Sequence, residues 1–220
     1  MFDLATSWPF LVAGGLAALP ALLLMTRIQR LEALSYLDSQ TGLHNGRLLG
    51  DDFALLSRSR APIALLLADL DNFRRFNAKS YVDGDRALLT AAQTLQRTLQ
   101  RLGDRVYRKY ASGDEFLALL SPIDFADAHR QAERIRQALE RAGVPASIGI
   151  AYCPGELGRR TIALSDLVEQ ATAAKNEAKR LGGNTVYPPP RNDPEQPPPP
   201  PVPIECANEQ STSHAVTVTS

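Results

Sequence analysis

The feature that most constrains the fold is the apolar run PIALLLADL at Pro62–Leu70. An apolar run of this length, without polar alternation, is typical of a central β-strand that is covered on both faces. Asp69 is the last residue but one of this run, and Asp71 follows directly after the run. Carboxylates at the end of a buried strand cost free energy unless they are paired or bound to a cation. The sequence therefore predicts a covered sheet with a charged site at one end of its central strand.

The two aspartates have different expected roles. Alternation along an extended chain places Asp69 and Asp71 on one side and leaves the Leu70 carbonyl free to point elsewhere. Hard oxygen donors of this kind suit Mg²⁺, which binds one or two carboxylates and takes its other ligands from water and substrate phosphates. For Asp71 alone, capping of the next helix is the favoured interpretation.

A second acidic site lies within Arg105–Ser121, RVYRKYASGDEFLALLS. Alternation over Val106–Tyr110 predicts one strand before the Ser-Gly-Asp turn, and Phe116–Leu120 predicts a second strand after it. The stretch therefore predicts a β-hairpin with Asp114 and Glu115 at its tip. Taken alone, these acids fit a solvated turn equally well. Together with Asp69 they fit a site that holds a pair of cations and a nucleotide triphosphate.

Hydrophobic periodicity and the glycine and proline positions predict the other elements. Helices are expected at Arg47–Ser57, Asn72–Asn77 (one short turn), Asp83–Leu102, Asp124–Arg141 and Leu164–Leu181, strands at Pro145–Cys153 and Asn184–Tyr187, and a loop at Ala78–Val82. The order βααββαβαβ mixes hairpin and parallel connections. It predicts one α+β sandwich with helices around a central sheet.

Residues 8–26 are predicted to form a transmembrane helix after a short N-terminus at residues 1–7. Trp8–Met25 contains 18 residues without a charge, which is about 27 Å of helix against a bilayer core of about 30 Å. A cleaved signal peptide is the competing interpretation, but it usually begins with positive charge, and the first seven residues carry only Asp3 and the terminal amine. Arg27 and Arg30 place the following domain in the cytoplasm by the positive-inside rule.

The regions that flank the domain have simpler sequences. A helical stalk at residues 27–37 either pairs with a second copy or packs on its own domain. The domain is expected at residues 38–187, and a tail at residues 188–220 contains ten of the 16 prolines. Its composition predicts disorder, as a spacer or as a ligand for a proline-recognition partner.

Charge and cysteine content exclude some classes of function. Lysine plus arginine equals aspartate plus glutamate, at 24 each, so no net field favours nucleic acid and no nucleic-acid partner is expected. Cys153 and Cys206 are far apart in the sequence, which indicates neither a disulfide framework nor a cysteine metal site.

Five blocks, in the order of the family, resemble the GGDEF domain of diguanylate cyclases: DSQTGLHN, LLLADLDNFRRFN, ASGDEF, ASIGIAY and EAKRLGGN. The resemblance covers about Leu37–Tyr187. It implies a sandwich with a mostly antiparallel central sheet, related to nucleotidyl cyclases and polymerase palms. It also implies the family's reaction, in which two facing domains each hold GTP and each 3′-hydroxyl attacks the other α-phosphate, giving cyclic di-GMP and pyrophosphate.

The same resemblance implies the partners, the cofactor and the location. The partners are GTP, cyclic di-GMP and a second copy of the chain, and the cofactor is Mg²⁺, with Mn²⁺ as an alternative. With the predicted anchor, the protein is expected in the bacterial inner membrane as a single-pass protein with a cytoplasmic catalytic domain.

The resemblance also assigns roles to individual residues. The metal-site positions fall on Asp69, the Leu70 carbonyl, Asp114 and Glu115, and Asp114 is also the implied proton acceptor for the 3′-hydroxyl. Arg74 stands where a lysine usually stabilises phosphate charge. The implied substrate-binding positions are the guanine-reading Asn77 and Asp85, the signature residues Ser112 and Gly113, and the triphosphate-binding Lys179.

The chain departs from the family pattern at several of these positions. Ser112 replaces the first glycine of the signature, and the segment Asn77–Asp85 is one residue shorter than usual. Gly183 replaces a basic residue, while Thr172 and Asn176 replace an aspartate and a tyrosine. The alternative function is therefore a degenerate, non-catalytic GGDEF module that binds GTP, cyclic di-GMP or a partner protein.

The hairpin admits two alignments with the family. An arginine normally stands two residues before the glycines, where Tyr110 falls if no gap is allowed. A two-residue insertion aligns Arg108 instead, and it brings Arg101 and Asp104 onto the family's RxxD product-inhibition site.

Overall fold

The computed structural model describes residues 20, 22–27, 35–59, 61–99, 104–111, 113–155 and 162–190. Most of the predicted membrane segment, most of the predicted stalk and the tail beyond residue 190 lie outside these ranges. Among the described residues, no helix combines the length and the apolar character needed to cross a membrane. The anchor and the tail stay predictions.

The described chain forms a six-stranded mixed sheet with helices on both faces. In chain order the elements are β1 (His44–Asn45), α1 (Gly46–Ser57), β2 (Ile63–Leu70), α2 (Arg74–Lys79), α3 (Tyr81–Thr98), β3 (Arg105–Arg108), β4 (Glu115–Leu120), α4 (Phe125–Arg141), β5 (Ala146–Cys153), α5 (Leu164–Arg180) and β6 (Val186–Tyr187). The strand order is β1-β3-β4-β2-β5-β6. The central pairs are antiparallel and the two edge pairs are parallel. The predicted α+β class, with helices around a central sheet, is confirmed, and the sheet is mixed, with three antiparallel and two parallel pairs.

Strand β2 lies between β4 and β5, and all its residues are buried, as its apolar sequence predicts. Successive side chains of a strand point to opposite faces. Leu66 belongs to one core with α3 and α4, and Leu67 belongs to a second core with α1 and α5. The alternation therefore puts Asp69 on the face that α5 covers.

Helix α5 lies unusually close to β5 because Gly149 has no side chain. A Cβ atom at Gly149 would come within 2.1 Å of the Ala171 carbonyl oxygen and 2.4 Å of the Lys175 amide nitrogen. The helix backbone therefore rests directly on the strand. This close approach sets how far side chains from α5 reach toward the end of β2.

The loop predicted at Ala78–Val82 is wrong, because Ser80 both follows α2 and caps α3. The Ser80 hydroxyl oxygen accepts a hydrogen bond from the Asp83 amide at 3.1 Å, which satisfies a free donor of the first helical turn. Helix α3 therefore begins at Tyr81. Its first two residues, Tyr81 and Val82, are exposed although they are apolar. The spacing of apolar residues therefore did not indicate where the helix begins.

Strand β1 was also missed, because the sequence before it consists of turn-forming residues. The Asp38 carboxylate accepts from the Thr41 amide at 2.8 Å, and Gly42 takes a φ of +70°. This turn brings His44 beside Tyr107 of β3 in a parallel pair. Near it, the predicted stalk helix ends earlier than expected, since Leu37 forms an isolated bridge with His44.

We predict that Gly149→Ala strongly destabilises the protein, because the new methyl group meets helix backbone, which cannot rotate away. Overpacking of this kind typically costs about 1–3 kcal/mol and occasionally more. Gly50→Ala on α1 is the matched control, since nothing lies within 4 Å of its Cβ position; it should be neutral or stabilising by up to about 1 kcal/mol. Urea unfolding measures both. Equal stability of the two variants would contradict the close approach of α5.

Candidate functional site

Two acidic side chains meet at the end of the central strand. Asp69 of β2 is directly opposite Glu115 of β4 in the antiparallel register. Asp69 is only 6% exposed, and Glu115 is partly buried. Asp114 precedes Glu115, and its carbonyl accepts from the Leu70 amide at 3.4 Å. The predicted pairing of the hairpin tip with the end of β2 is therefore what the structure has.

Three lysine side chains bind these acids in an alternating series, which we call the ion-pair chain: Lys179–Asp69–Lys175–Glu115–Lys109. Lys179 contacts Asp69 Oδ1 at 2.5 Å, and Lys175 contacts Asp69 Oδ2 at 3.1 Å. Lys175 also contacts Glu115 Oε1 at 3.2 Å. Lys109 contacts Glu115 Oε2 at 2.9 Å. Each of the four carboxylate oxygens therefore has an ammonium partner.

The pKa shifts follow from these contacts. Burial opposes ionisation of Glu115, but Lys109 and Lys175 hold its pKa below the ordinary value. Burial alone would lower the pKa of Lys175, but Asp69 and Glu115 raise it above the ordinary value. For Asp114, burial and then the charge of Asp69 raise the pKa. Asp114 therefore holds a proton more readily than Glu115 does.

The oxygen donors at this end of the sheet are of the kind that binds Mg²⁺. The carboxylates of Asp69, Asp114 and Glu115 and the Leu70 carbonyl are the residues that could hold it. Their present arrangement is built around ammonium groups, however. The described part of the chain contains no group of three or more His, Cys, Asp or Glu side chains that could together hold a metal ion.

Arg108 organises the loop of the hairpin. It is 1% exposed, and its guanidinium donates to the carbonyl oxygens of Tyr110, at 3.2 Å, and of Gly113. Strand β3 ends at Arg108 rather than at Tyr110 as predicted, because the Gly113 amide donates to the Tyr110 carbonyl at 3.2 Å and closes a turn there. Tyr110 is 60% exposed. Of the two residues that the alignments offered, Arg108 is the one whose side chain donates a hydrogen bond to the signature loop.

Asp71 does not cap the next helix, so the favoured interpretation of this residue is wrong. Its carboxylate accepts from the Ser147 hydroxyl at 2.8 Å and from the Asn184 amide at 2.7 Å. Helix α2 begins after Phe73 without a side-chain cap. Asp71 instead ties the end of β2 to β5 and to the turn that follows α5.

That turn explains the glycine at position 183. Gly182, Gly183 and Asn184 have φ values of +116°, +78° and +44°. A Cβ atom at Gly183 would lie 3.3 Å from the Asp71 carboxylate. Glycine is favoured where φ is positive and a neighbour is this close. The conformation of this turn and its contact with Asp71 therefore explain why position 183 is a glycine and not a basic residue.

The predicted guanine-reading residues lie on α2 and α3 and are exposed. Asn77 packs on Gly84, where a Cβ atom would come within 1.9 Å of its Oδ1. Asp85 Oδ1 accepts from Gln40 Nε2 at 2.5 Å. Arg74, the first residue of α2, is exposed as well. The shortened segment between Asn77 and Asp85 is therefore a tight junction of two helices.

Other predicted positions are only partly described. Ser112 and Arg101 lie outside the described residues. The carbonyl oxygen of Gly113 accepts a hydrogen bond from the Arg108 guanidinium. Asp104 is partly buried just before β3.

Sequence reasoning missed Lys109, Lys175 and Gln40. Lys175 carried a usable signal, because it falls on the buried stripe of α5 that also contains Leu167, Ala171 and Ala178. A lysine in such a stripe needs an acidic partner. Lys109 carried no comparable signal, because alternation along a predicted strand does not by itself tell which face is buried.

The comparisons with known proteins agree with the geometry. The family described as "Diguanylate cyclase, GGDEF domain" matches residues 35–185. A diguanylate cyclase of Vibrio cholerae is 30% identical over 164 residues, which is 71% of this chain and 50% of that protein. The chain spans half or less of the length of the curated relatives that it matches.

Two solved structures are similar in fold. The coiled coil and GGDEF domain of DgcB from Caulobacter crescentus, in complex with c-di-GMP, has a TM-score of 0.67 at 20% identity and covers 82% of this chain and 98% of that one. Diguanylate cyclase SiaD from Pseudomonas aeruginosa, in complex with its activator SiaC, has a TM-score of 0.60 at 26% identity, with coverages of 82% and 75%.

Proposed function

Because the chain belongs to the GGDEF domain family of diguanylate cyclases, we propose that it condenses two GTP molecules into cyclic di-GMP and pyrophosphate. In each half-reaction a 3′-oxygen bonds to the α-phosphorus of the other GTP, the bond from that phosphorus to the bridging oxygen breaks, and pyrophosphate leaves. The observation that carries the proposal is the register of Asp69 opposite Glu115, with Asp114 beside them at the end of the buried central strand.

The metal site is proposed at the carboxylates of Asp69, Asp114 and Glu115 and the carbonyl of Leu70. When Mg²⁺ or Mn²⁺ is bound there, it supplies positive charge to the phosphates and orients them. Asp114 accepts the proton of the 3′-hydroxyl. Burial and the charge of Asp69 raise the pKa of Asp114, and a raised pKa makes a carboxylate a stronger proton acceptor.

The remaining substrate contacts are assigned to residues around this end of the sheet. The Lys179 side chain is 38% exposed, so its ammonium can exchange Asp69 for a phosphate oxygen. Arg74 provides further positive charge to the phosphates, and Asn77 and Asp85 hold the guanine edge. Asp85 must give up its bond to Gln40 to do so.

The rest of the chain has roles that follow from the proposed reaction. One domain provides one set of these residues, so two copies must face each other to join two GTP molecules. We place the protein at the bacterial inner membrane through residues 8–26, with the domain in the cytoplasm. The Arg101–Asp104 segment is proposed as a product-inhibition site, and the tail as a spacer or partner-binding segment.

The second candidate is a GGDEF module that binds a nucleotide or a partner protein without catalysis. Two observations favour it. The carboxylate oxygens of Asp69 and Glu115 already have lysine partners. Gly183 also provides no basic side chain where the family has one.

The direct test is incubation of the full-length chain with GTP and Mg²⁺, with cyclic di-GMP measured by mass spectrometry. We expect Asp69→Asn to reduce the rate by about 100-fold or more, since even outer-shell partners of metal ligands are typically worth 10–100-fold. Asp51→Asn is the control, because Asp51 is an exposed acid on α1. A folded dimer that binds GTP but forms no product would establish the second candidate instead.

A second prediction separates guanine binding from stability. Gly84→Ala should push the Asn77 amide away, because the new Cβ would overlap Asn77 Oδ1. We expect the Kd for GTP to rise about tenfold, the equivalent of one lost hydrogen bond. Stability should not fall, since alanine favours helix by about 1 kcal/mol over glycine and the Asn77 side chain can rotate. Calorimetric GTP binding and thermal unfolding measure the two effects; unchanged affinity would exclude Asn77 from the guanine site.

A further inference from the structure

Lys175 has a position that the proposed reaction does not use. Its ammonium lies between Asp69 and Glu115, 3.1 Å from one carboxylate and 3.2 Å from the other. The residue is 8% exposed. Asp69 and Glu115 are opposite each other on β2 and β4, so a single ammonium between them pairs with carboxylates from two strands.

The packing of α5 against β5 fixes the backbone position of Lys175. Its amide nitrogen would be 2.4 Å from a Cβ at Gly149, so the helix backbone at Lys175 rests on β5. Leu167 and Ala171, on the same face of α5, belong to the core beneath it. A buried ammonium is costly unless it is paired, and this one has two acidic partners.

The charges of Asp69 and Glu115 are compensated without a metal ion. Lys109, Lys175 and Lys179 contact these two carboxylates. All four oxygens of Asp69 and Glu115 contact an ammonium group. A divalent cation that is to bind these oxygens must therefore replace an ammonium that is already there.

We propose that Lys175 is an internal cation that occupies the space between Asp69 and Glu115 and competes with the divalent metal for their oxygens. This inference rests on the proposed function only in taking these acids as the metal-binding ones. Metal alone binds weakly while Lys175 is in place. GTP favours metal binding because its phosphates give the displaced ammonium new anionic partners.

The test measures binding of Mn²⁺ alone to the full-length chain, without GTP, by electron paramagnetic resonance of the free ion. Lys175→Met keeps the length of the side chain and removes its charge. We expect this variant to bind Mn²⁺ at least about tenfold more tightly than the wild type, a difference that competition from one well-placed cation readily accounts for. Lys175→Arg keeps the charge and should bind as weakly as the wild type.

Arg180→Met is the matched control. It removes one positive charge from the same helix, but Arg180 is exposed and pairs with Glu177. Its Mn²⁺ affinity should stay within about twofold of the wild type, because exposed charges are screened. Equal affinities of Lys175→Met and Arg180→Met would overturn the proposal, as would the absence of Mn²⁺ binding in every variant.

Thermal unfolding of the wild-type protein is a second test, and its result does not depend on any variant. A ligand raises the melting temperature according to its concentration relative to its Kd. Millimolar Mn²⁺ should move the wild-type melting temperature by less than about 1 °C, and a shift of several degrees would overturn the proposal even if Lys175→Met did not fold. If Lys175→Met gains metal affinity while the wild type makes no cyclic di-GMP, the cyclase proposal fails and the role of Lys175 stands.

Discussion

The ion-pair chain Lys179–Asp69–Lys175–Glu115–Lys109 is the interaction on which the functional end of the molecule depends. Burying two carboxylates at the end of the central strand is unfavourable unless their charge is balanced. The balance comes from two elements, since Lys175 and Lys179 lie on α5 and Lys109 follows β3. This charge balance therefore requires α5 to pack closely on the sheet, and the absence of a side chain at Gly149 permits that close approach. Packing and electrostatics are not separate features here: the same helix covers the second core and neutralises the acids at its edge.

Much of the fold follows from local sequence signals. The apolar run of β2 predicts a central strand, and β4 and β5 on either side of it have the predicted positions to within a residue or two. The contact between Asp69 and the hairpin tip could also be predicted, because Asp69 and the acids of the tip lie at the ends of predicted strands. The elements that the sequence did not predict correctly were either very short, as β1 is, or began at a single capping side chain, as α3 does. Ser80 ends one helix and begins the next, and no periodicity argument detects such a junction.

The site was harder to predict than the fold, for physical reasons. Carboxylates at strand ends stand out in a sequence, whereas their partners do not. Lys175 is 106 residues from Asp69 along the chain, so only the tertiary structure joins them. Asp71 likewise bonds to Ser147 and to the backbone of Asn184 rather than to the helix that follows it. These contacts also explain the glycine at position 183, which from the sequence alone reads as the loss of a phosphate ligand.

We propose that the acids now held by lysine form the metal and nucleotide site of a diguanylate cyclase. A crystal structure of the protein with a non-hydrolysable GTP analogue and Mg²⁺ tests this most directly. We expect Mg²⁺ bound to the carboxylate of Asp69, the triphosphate beside it, and the Lys175 ammonium withdrawn from between Asp69 and Glu115. A nucleotide bound with Lys175 still bridging these two acids, and with no metal on Asp69, would contradict it.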